Sequence, residues 1–432
     1  MNQFWQTVQV SEHKGTLGIA QGTALYIASV LGTGILVLPG LAAQVAGPAS
    51  VLSVAIIFVL SIPLAGTFAA LAARYPDSGG VASYVRTSMG NTWARVAGYL
   101  FYFGVAAGEP VVAVMGAEYV VAITGADRSL LPYVAATLFI IPFTLNLFGV
   151  KVAGWVQLGL SALLVVVVVG VISYGAPAVQ TVHFTPFMPH GWVGIGMAIS
   201  LFVWAFAGWE VGTHIAAEFK NPRRTIPIAT GIALVIVGLA YLALQWVTIG
   251  VLGESAGEGS VPLLTLVNET APRAGAIVIA SIAAIVSLGV LNAYLAAIGK
   301  LGASLGRDGD LPRYFAKGAE PDVIPRRSLL LSLVISIVFF GILFAQDFQL
   351  LSLIPIHLSS MVAIYVLGMA AAVLIFPRWS FDWWIAVVAL AMTILLLVLN
   401  GPNVLFPVTV VVVSLLVTVV KRRLATKKAR ES

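Results

Sequence analysis

The feature that most limits the fold of this chain is a series of about a dozen apolar stretches separated by short connections, with Lys and Arg recurring at every second connection. A helix needs about 20 apolar residues to cross ~30 Å of hydrocarbon. Spans read at 17–45, 49–73, 94–123, 130–148, 152–174, 192–217, 226–252, 273–304, 329–345, 350–375, 380–399 and 402–420. With a cytoplasmic N-terminus, 21 of the 23 Lys and Arg fall inside, and only Arg128 and Arg273 fall outside. One missed or extra span would scramble that alternation. With 60% hydrophobic and 9% charged residues, the chain reads as an all-α integral membrane protein with about 12 transmembrane helices. Both termini are expected in the cytoplasm and the protein in the inner (plasma) membrane as a multi-pass protein.

The net charge of +6 has its place in this topology. The basic tail from Lys421 to Arg430 is expected to meet anionic membrane lipid, so no nucleic-acid partner is needed. Met1 to Lys14 is polar and leads directly into a full span, unlike a cleaved signal peptide. Cysteine is absent, which leaves no disulfide or thiolate metal site.

Ser29-Val30-Leu31-Gly32-Thr33-Gly34-Ile35 lies in the middle of the first span. Two glycines astride a threonine are poor helix formers, so the helix is expected to open here and free backbone N–H and C=O groups. Such groups persist at membrane depth only where protein seals them or they line a cavity. Amides at Gly32, Thr33 and Gly34 suit a carboxylate, helped by the positive end of the half-helix that follows, and freed carbonyls suit an ammonium. A close-packing face against another helix explains this stretch alone equally well.

Span 6 decides between them. It reads Phe202-Val203-Trp204-Ala205-Phe206-Ala207-Gly208-Trp209-Glu210-Val211-Gly212-Thr213-His214, with small residues at its centre, aromatics around them, and an acid and a histidine. Spans 1 and 6 open two five-span halves, 17–174 and 192–375, that begin on opposite sides of the membrane because five is odd. Interruptions at corresponding places point to an inverted-repeat transporter with its site at mid-membrane. Residues 1–16 form a cytoplasmic segment, 380–420 two further spans and 421–432 the tail.

Four motifs, Leu31-Gly32-Thr33-Gly34-Ile35, Tyr75-Pro76-Asp77-Ser78-Gly79-Gly80, Phe206 to Glu210 followed by Ala217-Glu218-Phe219-Lys220-Asn221-Pro222, and Gly306-Arg307-Asp308-Gly309, occur in this order. In them the chain resembles the amino acid/polyamine/organocation transporters. Over Leu17–Gly47 and around His214 it is most similar to the bacterial branch that exports methionine and branched-chain amino acids. The resemblance implies a LeuT-like fold of five plus five helices and two more. It also implies a substrate carboxylate on the amides of Gly32, Thr33 and Gly34, an ammonium on the carbonyls of Val30, Trp204 and Ala207, and Trp204 or Phe206 in the gate and side-chain pocket.

A charge at the bilayer centre costs roughly 3 kcal/mol or more, so each ionisable group in a span asks for an explanation. Glu210 matches the family's glutamate after the second break, to which the resemblance gives a gating or protonation role. His214 and Glu218 follow at successive i+4 positions and extend one face of the helix. That face can pass a proton, and a static Glu–His hydrogen bond is the competing reading. Glu109 precedes Pro110 within span 3 and can line the pocket or carry a coupling proton. His357, near Ser359 and Ser360, reads as a packing histidine. Span 5 has no lysine after Lys151, which departs from the proton-coupled relatives that carry one.

No His-Glu-x-x-His or Gly-x-Ser-x-Gly motif with a histidine partner suggests an enzyme, and no metal or cofactor is expected. The residues near the breaks are apolar and aromatic. The expected activity is alternating-access secondary transport of neutral apolar L-amino acids (methionine, leucine, isoleucine, valine), linked to protons, in either direction. An exchanger without ion coupling, a cationic amino-acid or amine permease, and a membrane receptor are the alternatives.

Overall fold

The structure is a computed structural model that describes residues 17–76, 80–149, 154–210, 213, 216, 219–259, 261–270, 273–319 and 323–431. Every named element among them is helical. The first span is two half-helices, α1 (Ile19–Leu31) and α2 (Gly34–Ala46). Gly47 at φ +59° followed by Pro48 ends α2 and turns the chain into α3 (Ser50–Arg74). The connection after span 2 contains α4 (Gly80–Met89), ahead of α5 (Asn91–Thr124), α6 (Leu131–Leu147) and α7 (Gly154–Gly175).

The second half opens with α8 (Gly191–Ala205), too short to cross a bilayer alone at about 1.5 Å per residue. It continues with α9 (Pro222–Leu252), the short α10 (Pro262–Thr270) in the expected outer loop, α11 (Arg273–Arg307), α12 (Arg326–Ala345) and α13 (Ile354–Ile375). The last spans are α14 (Phe381–Leu399) and α15 (Leu405–Glu431), the latter running on past the apolar segment. Ten stretches among the described residues are long and apolar enough to cross a membrane. The first, Ile19–Arg74, holds two passages, and α8 is a further, shorter apolar helix.

Burial separates scaffold from rim. The spanning part of α5 is 89% buried, against 22% for α14 and for α15, so α5 is the inner spindle and the last two helices present their apolar sides outward. Gly104 and Gly108 let α13 approach α5 closely: a Cβ at Gly104 would meet Ser360 at 2.5 Å, and one at Gly108 would meet His357 at 2.5 Å. α2 packs on α8 and α1 on α9, joining the two halves at their interrupted helices. A single bridge pairs Leu17 with Phe219, where the Lys220 amide donates to the Leu17 carbonyl at 3.0 Å. It ties the start of the first span to the chain beyond the sixth.

A candidate substrate site between two broken helices

The first break falls where two glycines weaken the helix. α1 ends at Leu31, Gly32 turns the backbone at φ +23°, and α2 starts at Gly34. The carbonyl freed at Leu31 accepts from Tyr241 Oη of α9 at 3.1 Å. That bond meets part of the cost, about 1–3 kcal/mol for each unsatisfied buried group, of opening a helix away from water. The Thr33 hydroxyl is buried and has no partner.

The second break follows α8. The Phe206 amide bonds back to Phe202 and Val203, and Gly208 then takes φ +115°. Only glycine adopts this conformation easily, and here it also lies against the first break: a Cβ on Gly208 would be 2.9 Å from the Ser29 carbonyl oxygen. The two interruptions therefore face one another.

Between them lies a small cavity of about 30 Å³. Val30, Gly32, Thr33 and Gly34 line one side and Trp204 and Ala207 another. Val105, Glu109 and Val112 of α5, Val290, Leu291 and Tyr294 of α11, and His357 of α13 complete the wall. Backbone at the breaks gives the cavity a polar end, and valine, leucine and tryptophan side chains give it an apolar body.

Phe206, expected beside Trp204, is not among the lining residues. Its ring packs on Phe58 and Tyr241, with centroids 6.4 and 5.6 Å away. Phe206 lies one residue beyond α8, at its C-terminal cap, where the backbone has left the helix and its ring turns toward α3 and α9.

Glu210 sits behind the second break, fully buried and outside the cavity lining. Its Oε2 accepts from Tyr365 Oη of α13 at 2.7 Å and from the Gly208 amide at 3.1 Å, while Oε1 has no partner. The Gly208 amide also reaches Tyr365 Oη at 3.2 Å, closing a three-membered set around the break. His214 and Glu218 lie outside the described residues, as does the side chain of Gln157 in span 5. Glu109 is 1% exposed; Ser336 Oγ of α12 donates to its Oε2 at 2.6 Å, and its Oε1 is unpartnered. His357 Nδ1 donates to the Gly104 carbonyl at 2.8 Å, and the ring lies 4.6 Å from that of Trp204. This histidine is thus a packing residue and a wall of the cavity together. Asn292 Oδ1 accepts from Asn146 at 2.8 Å, and Lys300 Nζ caps the carbonyls of Gly318 and Val323.

A bundle of spanning helices whose two broken members enclose a cavity has the architecture of a secondary transporter. The model of the family "Amino acid permease" matches residues 17–427, and the chain belongs to that family, within the amino acid/polyamine/organocation superfamily. It is 30% identical to an uncharacterised amino acid permease, YecA, of Bacillus subtilis over 90% of this chain and 91% of that one. It is also 33% identical to the L-methionine/branched-chain amino acid exporter YjeH of Escherichia coli, over 53% of this chain and 54% of that one. Among solved structures, MhsT in complex with L-phenylalanine shares the fold, with a TM-score of 0.60 at 16% identity over 90% of this chain and 99% of that one. The protein is an integral membrane transporter, not an enzyme, with a LeuT-like fold.

Proposed function

We propose that the protein carries neutral L-amino acids with apolar side chains, methionine, leucine, isoleucine and valine, across the inner membrane by alternating access. One observation carries the reading: the two helix breaks meet at one cavity whose other lining sets Val105, Val112, Val290 and Leu291 beside Glu109, Tyr294 and His357. The amides of Gly32, Thr33 and Gly34 take the carboxylate, and the carbonyls of Val30, Trp204 and Ala207 take the ammonium. The apolar wall receives the side chain, with Trp204 as the aromatic face next to it. YjeH, an exporter of methionine and branched-chain amino acids, supports this substrate class.

Both termini lie in the cytoplasm in this reading, supported by the 21 of 23 Lys and Arg on one side. Transport is proton-linked through Glu210, supported by its burial and its unpartnered oxygen behind the break, with His214 four residues on in the sequence. The gradients present set the direction.

Counterflow in proteoliposomes tests the function. Vesicles loaded with unlabelled leucine should accumulate labelled leucine, and an imposed pH step should drive further uptake that is lost in His214→Ala. Arginine competing better than leucine would sink the substrate class. Counterflow without response to pH would remove the proton but keep the carrier.

A further inference from the structure

The cavity has a second polar feature that an apolar amino acid leaves unused. Glu109 of α5 lines it, is 1% exposed, and has one carboxyl oxygen without a hydrogen-bond partner. Its other oxygen is taken by Ser336, which fixes the carboxyl group from α12. His357 of α13 lines the same cavity with its Nδ1–H committed to the Gly104 carbonyl, so the neutral ring keeps Nε2 as an acceptor. The close approach of Gly108, next in sequence to Glu109, to the imidazole holds the two side chains on neighbouring strips of wall. The wall therefore holds one buried carboxyl oxygen without a partner, that of Glu109, beside the ring of His357. Buried acceptors without donors are costly and rare, and a bound donor removes the cost.

We propose that Glu109 and His357 form a specificity subsite that accepts a hydrogen bond from the substrate's side chain, so that the carrier takes hydroxyl-bearing neutral amino acids in preference to apolar ones of the same shape. This rests on the amino-acid reading of the cavity and widens its substrate class. Threonine and valine are the decisive pair, because they differ only by a hydroxyl in place of a methyl group. A wholly apolar pocket has little means of telling them apart, whereas a site with a buried acceptor rejects the molecule that leaves it unpaired. Ser336 is a positioning residue in this scheme, since it touches Glu109 and not the cavity.

The test needs no variant at first. Binding of threonine and of valine to the purified, full-length protein is titrated by calorimetry, with leucine as reference. Threonine should half-saturate the signal at a concentration about tenfold below valine, the effect of one buried hydrogen bond. The threonine-to-valine ratio should then fall to within about twofold in Glu109→Gln or in His357→Gln, and partly in Ser336→Ala. Valine binding as well as threonine in the unmodified protein overturns the inference and leaves the amino-acid reading standing. So does a preference for threonine that survives in both cavity variants. No response to any of the three amino acids overturns both readings.

Discussion

Tyr365 Oη donates to Glu210 Oε2 at 2.7 Å and lies 3.2 Å from the Gly208 amide, so one phenol on α13 holds both the buried acid and the backbone turn of the second helix break. Tyr365→Phe keeps the ring but leaves Glu210 with only the Gly208 amide. The variant should unfold at lower temperature, with a loss of about 1–3 kcal/mol. Thermal unfolding in detergent checks this, and an unchanged midpoint would make the phenol a bystander.

Gly34 opens the second half of the first span where Tyr241 and Trp204 converge on it. A Cβ there would meet Tyr241 Oη at 2.8 Å and Trp204 Cδ1 at 3.1 Å. Gly34→Val therefore displaces both the hydroxyl that caps the Leu31 carbonyl and a cavity wall. Binding of every amino acid should disappear together, read as loss of all counterflow in protein that still purifies as a monodisperse peak. Retained leucine binding, or a mere change in preference, would place the substrate carboxylate elsewhere.

The helix breaks were legible because they are local: Gly32-Thr33-Gly34 and Gly208 are poor helix formers inside long apolar runs, and the backbone opened at both. What holds the site was not legible. Tyr365 meets Glu210 across 155 residues and Ser336 meets Glu109 across 227. A lone serine or tyrosine within a span carries no mark of its partner. Phe206 failed for a geometric reason, since proximity in sequence to a break does not say which wall a side chain faces. The tail beyond Lys421 also extends as helix without the apolar signal that located the spans.

A pH effect follows at the turn after α11. Burial alone would raise the Asp308 carboxyl, but hydrogen bonds and charge from Arg307 and Arg86 outweigh it and hold the group below the usual carboxylate range. A carboxyl lowered on folding contributes stability that is full above its unfolded value, ~3.9, and is lost as pH falls through the lower folded value. Asp308→Asn should therefore be less stable than the unmodified protein near neutral pH, by no more than about 1 kcal/mol for so exposed a cluster. The difference should vanish under strong acid. Unfolding midpoints measured from pH 3 to pH 7 check the sign; a gap that widens on acidification would reverse it.

Two ion pairs of different depth give the last prediction. Arg95 and Asp310 are paired with side chains only 11% and 5% exposed, joining the start of α5 to the turn after α11, with Lys421 of α15 4.0 Å from the same carboxylate oxygen. Arg74 and Asp382 are also paired, but at 44% and 21% exposure. Removing one partner of an enclosed pair leaves the other charge without water or counter-ion, at a cost of about 3–5 kcal/mol, whereas an exposed charge is resolvated for less than about 1 kcal/mol. Asp310→Asn should thus strongly destabilise the protein while Asp382→Asn barely shifts its unfolding. Asp310→Asn strands Arg95 and also removes the charge that faces Lys421, so the double variant Asp310→Asn with Arg95→Met should recover part of the loss. Equal effects of the two single variants would mean that water reaches Asp310 and that depth does not set the energy of this contact.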